Sequence, residues 1–183
     1  MSTYCQIAPG HPLHGPYHDH AYGFPLTGDN ALFERLVLEI NQAGLSWATI
    51  LAKRDNFQRA YDGFDVDTVA AYGPDQIARL LADAGIIRNR LKIAAAIHNA
   101  RVIQQLRQRH GSFHAWLAAH HPRDKAAWIT LFKQTFRFTG GEITGEFLMS
   151  TGWLPGAHHP DCPVHAACVA AGAPWAASNQ APR

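Results

Sequence analysis

Cys5 and His18 near the start of the sequence, with His158-x-x-x-Cys162 near its end, form a Cys₂His₂ donor set suited to tetrahedral Zn²⁺. An H-x3-C pair reaches one ion from a single turn. His20, His159, His165 and Cys168 are competing donors, and the alternative is that the His-rich ends are solvated while Cys5 merely packs. Residues 8–25 are dense in Gly, Pro, His and Tyr and lack periodicity, so they read as an irregular strap. Such a strap needs a clamp, and one structural ion would close both ends at once. Disulfides are the poorer use of the three cysteines, because their count is odd and the expected compartment is reducing.

Glu39 is a second candidate. It falls on a helical stripe with Leu32, Leu36 and Ala43, where an apolar residue is expected, and burying a carboxylate without a partner is costly. One use for it is an i,i+4 pair with Arg35 at the helix edge. The other is ligand recognition. Together with Tyr17, Tyr22 and Trp47, it would suit a planar, cationic, nitrogen-rich ligand through stacking, cation–π attraction and hydrogen bonding. As ordinary core aromatics, the same three residues would carry no function.

The third constellation is residues 82–93, a helix end, a tight turn at Gly85, and a new helix opening with Arg88, Arg90 and Lys92. Free N–H groups, the helix dipole and three cations suit a phosphate. An exposed basic helix start is otherwise a solvated face.

These side chains need a scaffold, and the pattern around them is helical. Asp29 or Asn30 opens a helix that Gly44 stops, and Ser46 caps the next, from residue 47 to about 61. Asp65 and Pro74 open two more, the second ending at Gly85. A long helix follows from about 88 to 109 with Leu91, Ala94, Ile97, Arg101 and Leu106 on its spacing. Ser112 caps another that Pro122 closes, and two more run over about 125–136 and 142–150. Few segments alternate with period two and no long repeat occurs, so the class is all-α.

A length of 183 residues with 47% hydrophobic content supports one sizeable core or two small ones. The division expected is a core lobe over about 29–110 and a clamped lobe over about 1–28 plus 111–170, with 171–183 as a flexible tail. No apolar run is long enough to span a bilayer and the first residues do not form a secretory leader, so the chain is expected to be cytoplasmic. A formal charge of +2 neither demands nor excludes nucleic acid. No obligate protein partner is evident.

Three motifs in order carry a family resemblance: Tyr17-His18-Asp19 followed by Gly23-x-Pro25; Leu38-Glu39-x-x-Gln42-Ala43-Gly44-Leu45-Ser46-Trp47; and Ala84-Gly85-Ile86-Ile87-Arg88-x-Arg90-x-Lys92-Ile93. The chain resembles the DNA-3-methyladenine glycosylase I family, a branch of the helix-hairpin-helix DNA glycosylases. The resemblance implies that this fold flips an N3-alkylated adenine out of double-stranded DNA and releases it by hydrolysis. It implies Cys5, His18, His158 and Cys162 as structural zinc ligands, and Glu39 as the carboxylate that hydrogen-bonds the base. Tyr17 and Trp47 would be pocket aromatics, Leu45 the plug for the gap left in the duplex, and residues 85–92 the DNA-gripping hairpin. The usual catalytic Asp of related glycosylases is absent from the family, in keeping with a base whose methylation already weakens the bond.

Departures fall around the pocket. Gln6-Ile7 stands where the family has Gly-Trp, Ala21-Tyr22 where it has Glu-Trp, His14 in place of a pocket Tyr, and Gly140-Gly141-Glu142 where it tends to Gly-Pro-Thr. Two other functions stay open on these grounds: a glycosylase for a different modified base, and a zinc-clamped DNA-binding module without catalysis.

Overall fold

Caps and glycines divide the chain into short helices, and the computed structural model, which describes residues 3–178, contains no strand among those residues. It begins with α1 (Tyr4–Ile7) and α2 (His14–His20). The strap expected to be irregular is thus partly helical. Pro16 lies in the first turn of α2, where a missing N–H is tolerated, and burial of Tyr17 and His18 holds the helix in place.

The central helix is α3 (Asp29–Gln42). Leu32, Leu36 and Glu39 are buried as the stripe requires, but so are Phe33, Val37, Leu38 and Ile40. The broader burial has a plain cause, since α3 touches α4 (Trp47–Ala60), α5 (Val66–Ala70), α7 (Arg90–His110), α8 (Phe113–His120) and α10 (Gly141–Ser150). Asp29 lies inside the helix, not at its cap. Its carboxylate accepts from Phe113 N at 2.9 Å and pairs with Arg107 Nε at 3.0 Å, fastening α3 to the start of α8. Ser46 and Asp65 cap α4 and α5 as expected, accepting from Thr49 N and Thr68 N.

Between α6 (Pro74–Ala82) and α7, Asp83 Oδ1 accepts from Gly85 N at 2.7 Å and closes a tight turn. A side chain at Gly85 would collide with Asp83 and with Asn56 of α4, so the turn packs closely on that helix. The buried face of α7 differs from the expected one. Leu91 is 70% exposed, and the face turned inward is Ile93, Ala96, Ile97, Ala100, Ile103 and Leu106. The expected spacing started from Leu91 and left Ala94 and Arg101 on the inner face, whereas the buried strip starts at Ile93 and runs through Ala96 and Ala100.

α9 (Lys125–Thr135) completes the helices around Trp116, Trp128 and Phe132, and one apolar cluster runs from Leu32 to Leu154. α11 (Pro163–Ala170) and α12 (Pro174–Ser178) follow. The first part of the segment expected as a flexible tail, residues 171–178, thus includes a helix and makes contacts with the fold. Ala173 is buried, Trp175 N donates to Gly152 O at 3.2 Å, and the Trp175 ring meets His165 with centroids 5.3 Å apart. The rest of that segment, 179–183, lies outside the described residues. No helix among the described residues is long and apolar enough to cross a membrane.

Candidate base cavity, metal centre and nucleic-acid face

Folding brings Cys5 of α1 and His18 of α2 to His158 and Cys162, and one ligand atom from each lies within 4.8 Å of all the others. Cys5 Sγ is 3.6 Å from His158 Nδ1, and Cys162 Sγ is 3.8 Å from His18 Nε2 and 3.9 Å from His158 Nδ1. Thiolate sulfur at about 2.3 Å and imidazole nitrogen at about 2.0 Å from a tetrahedral ion lie roughly 3.5 Å apart, so the spacing fits a metal. The far ring nitrogens are also committed. His18 Nδ1 donates to Asp19 Oδ1 and His158 Nε2 donates to Tyr22 O, each at 2.7 Å, which turns the lone pairs of His18 Nε2 and His158 Nδ1 toward the cluster. Burial holds His158 below its ordinary pKa and so keeps it neutral, as ligation requires.

The competing donors go elsewhere. Cys168 is buried against Tyr22 O, His165 packs on Trp175, and His159 pairs with Asp161. His20 lines a separate cleft with Phe24 and Arg54.

Beside the cluster, Tyr17, Tyr22, Glu39 and Trp47 line one cavity of about 460 Å³ together with Tyr4, Gln42, Glu142 and Glu146. Tyr17 and Trp47 rings meet with centroids 5.1 Å apart, and Tyr17 and Tyr22 at 5.6 Å. The Tyr17 hydroxyl and Trp47 Nε1 are buried with no hydrogen-bond partner. Both atoms are closed to water, so it is the ring faces of Tyr17 and Trp47, not their polar atoms, that the cavity presents to a ligand. Glu39 is 4% exposed, and burial pushes its carboxyl up to about 8, opposed by Arg35 and Ser150 and reinforced by Glu146. The Arg35 pairing considered from the sequence does not form as a contact. Its guanidinium donates to Ser150 O at 2.9 Å and lies over the Tyr17 ring at 5.1 Å.

Four wall residues escaped the sequence reading. Tyr4 adjoins Cys5, so whatever fixes Cys5 fixes Tyr4 as well, and its hydroxyl lies 3.1 Å from His14 Nδ1. Gln42 carries no chemical signal of its own in the sequence, although Gln42 Nε2 donates to Leu45 O at 3.0 Å and steadies the turn at the cavity mouth. Glu142 and Glu146 share a face of α10 by their i,i+4 spacing, and Tyr22 donates to Glu146 Oε2 at 3.3 Å. Spacing alone would have paired the two carboxylates but not aimed them inward.

Leu45 is exposed at the end of the turn that Gly44 makes with φ +83°. Arg88 and Arg90 are exposed on the segment that follows Gly85, as a phosphate contact requires. Lys92 is not. It is buried, and its ammonium donates to Asn41 O at 2.9 Å and Ala43 O at 2.8 Å, so the residue expected as a DNA cation sits inside the fold and caps the end of α3. The position faces inward because Lys92 and Ile93 together begin the buried face of α7. Asn89 in turn occupies two of the helix's free donors, accepting from Leu91 N and Lys92 N.

The pattern of the methyladenine glycosylase family matches residues 7–128. DNA-3-methyladenine glycosylase 1 of Escherichia coli is 37% identical over 160 residues, covering 77% of this chain and 86% of the relative. DNA-3-methyladenine glycosylase of Haemophilus influenzae is 30% identical, covering 89% and 98% respectively. A crystal structure of 3-methyladenine DNA glycosylase I superposes with a TM-score of 0.78 at 33% identity, over 86% of this chain and 97% of that one. The Staphylococcus aureus enzyme, solved to show 3-methyladenine recognition, gives 0.77 at 30% identity over 88% and 95%. Sequence, fold and the converging cavity agree, and the chain belongs to the methyladenine glycosylase family.

Proposed function

We propose that this chain is a base-excision repair glycosylase that extrudes an N3-alkylated adenine from duplex DNA and hydrolyses its N-glycosidic bond. One observation carries the reading: Tyr17, Glu39 and Trp47 line a single cavity that joins aromatic surface to a buried carboxyl group. An empty cavity keeps Glu39 largely protonated near neutrality. A cationic base entering beside it favours the carboxylate, whereas normal adenine brings no charge and gains nothing comparable. The aromatic walls stack on the base, and Glu39 accepts its hydrogen bonds. On cleavage the base leaves with the bonding electron pair and becomes neutral, while water adds to C1′ and releases its proton to solvent.

Leu45 fills the gap in the duplex, and Arg88 and Arg90 hold the backbone at the Gly85 hairpin. Zn²⁺ is the ion suited to Cys5, His18, His158 and Cys162, and when bound it supplies a structural clamp with no part in the cleavage. Single-turnover assays on duplexes carrying one 3-methyladenine test the function, with released base expected. Binding without release would leave a non-catalytic DNA-binding module.

A second reading concerns the lesion. Tyr22 and Glu142, both on the cavity wall, stand where the family's pattern has Trp and Thr, which gives the wall a smaller ring and an added carboxylate. A panel of defined lesion duplexes decides whether another modified base is the better substrate.

A further inference from the structure

Outside both the cavity and the hairpin, Phe138 is exposed and its backbone takes φ +62°, a left-handed conformation that non-glycine residues rarely adopt. The segment is firmly held there. Asn99, fully buried on α7, donates to Arg137 O at 3.0 Å and accepts from Arg137 N at 2.8 Å, pinning the residue before it. Thr139, the residue after it, is buried and donates to Phe132 O at 3.0 Å. The Phe138 ring does not join the apolar core. Strain maintained by two clamps to hold an apolar ring outward calls for a partner for that ring.

Its position indicates the partner. The Phe138 ring centroid lies 6.0 Å from Lys92 Nζ, and that same ammonium is 2.8 Å from Ala43 O, at the base of the Gly44-Leu45 turn. Two exposed hydrophobic side chains, Leu45 and Phe138, thereby belong to segments that meet at one buried lysine, and the exposed cation Arg137 precedes the ring in the chain.

We propose that Phe138 is a second wedge, which stacks on an exposed base of the duplex next to the gap that Leu45 plugs. Arg137 contacts the adjoining backbone. This rests on the glycosylase reading above for the existence of the gap. A flat ring suits a base face, and such stacking is independent of sequence. Once a nucleotide has left the helix, its neighbours and its former partner present faces that would otherwise meet water.

The test uses the intact protein with Phe138→Ala and Phe138→Tyr. Affinity is measured for a duplex with a tetrahydrofuran abasic site and for its undamaged counterpart, alongside single-turnover excision of 3-methyladenine. Loss of one base–aromatic stack predicts that Phe138→Ala lowers preference for the abasic duplex by about fivefold to a hundredfold, with Phe138→Tyr close to the parent. Excision should slow in parallel, while titration with free 3-methyladenine should match the parent because the cavity is untouched. Unchanged abasic preference in a folded Phe138→Ala protein overturns the wedge and leaves the ring as a cover over Lys92. If Phe138→Ala does not fold, Phe138→Leu takes its place and must show the same loss of preference for the idea to stand. Failure of the parent protein to release any base would instead overturn the glycosylase reading, and the abasic-preference comparison would still judge Phe138 alone.

Discussion

Lys92 Nζ lies 2.8 Å from Ala43 O and 2.9 Å from Asn41 O, so a lysine from the first turn of α7 closes the helix that carries Glu39. Replacing Lys92 with Met keeps the length and removes the donor, leaving two carbonyls short of a partner. Unfolding free energy should drop by about 1–3 kcal/mol in a denaturant titration. The salt dependence of duplex binding should stay at the parent slope. A reduced slope would return Lys92 to the DNA interface.

Arg88 and Arg90 should behave in the opposite way. Alanine at either position is expected to weaken binding to damaged and undamaged duplexes alike, and to reduce the slope of log K against log salt by about 0.9 for each phosphate left without its arginine. Binding isotherms at several salt concentrations measure this. Weakening confined to lesion DNA would show that the hairpin reads damage directly.

Glu39→Gln keeps the shape of the side chain and discards its charge. Excision of 3-methyladenine should slow by roughly tenfold to a hundredfold, the range for one charge-assisted hydrogen bond, with undamaged-DNA affinity near the parent value. Stability carries a second signature. The group titrates at about 8 when folded against 4.5 when free, so between those values only the folded state holds the proton. Stability is fully present below the lower value, falls as pH rises through the window, and is lost above the upper one. Melting curves from about pH 5 to about pH 9 should slope downward more steeply for the parent than for Glu39→Gln. Parallel curves would mean that Glu39 is not the group responsible.

For the metal centre, elemental analysis of freshly purified protein should find one Zn²⁺ per chain. Cys5→Ala and Cys162→Ala should each lose the ion and melt at lower temperature, with far-ultraviolet circular dichroism largely retained because the apolar cluster lies elsewhere. Equal melting temperatures in all three proteins would remove the clamp from the account.

Much of this was legible in the sequence because it depended on local chemistry. Ser46 and Asp65 cap the helices they precede, Gly44 turns where its neighbours demand a turn, and Glu39 is buried because its stripe is. The four metal-site residues could be proposed from donor type, although competing donors such as Cys168 were excluded only by packing against Tyr22. Lys92 was misread for a reason of geometry. A cation in a basic run looks solvated until the phase of its helix is known, and the phase of α7 is set by alanines that give little periodic signal. Glu146 and Phe138 depend on long-range contacts and on one unusual backbone angle, neither of which has a local signature.

His158 does two jobs across its ring: one nitrogen joins the cluster with Cys5, and the other grips Tyr22 O on the cavity wall. Tyr17, on the same wall, is the immediate neighbour of His18. On the ribosome, residues 158 and 162 emerge only after the helices that carry Glu39, Trp47, Arg88 and Arg90. A growing chain therefore cannot complete the wall of its base cavity until residues 158 and 162 have emerged. The order of synthesis itself withholds base recognition from every incomplete chain.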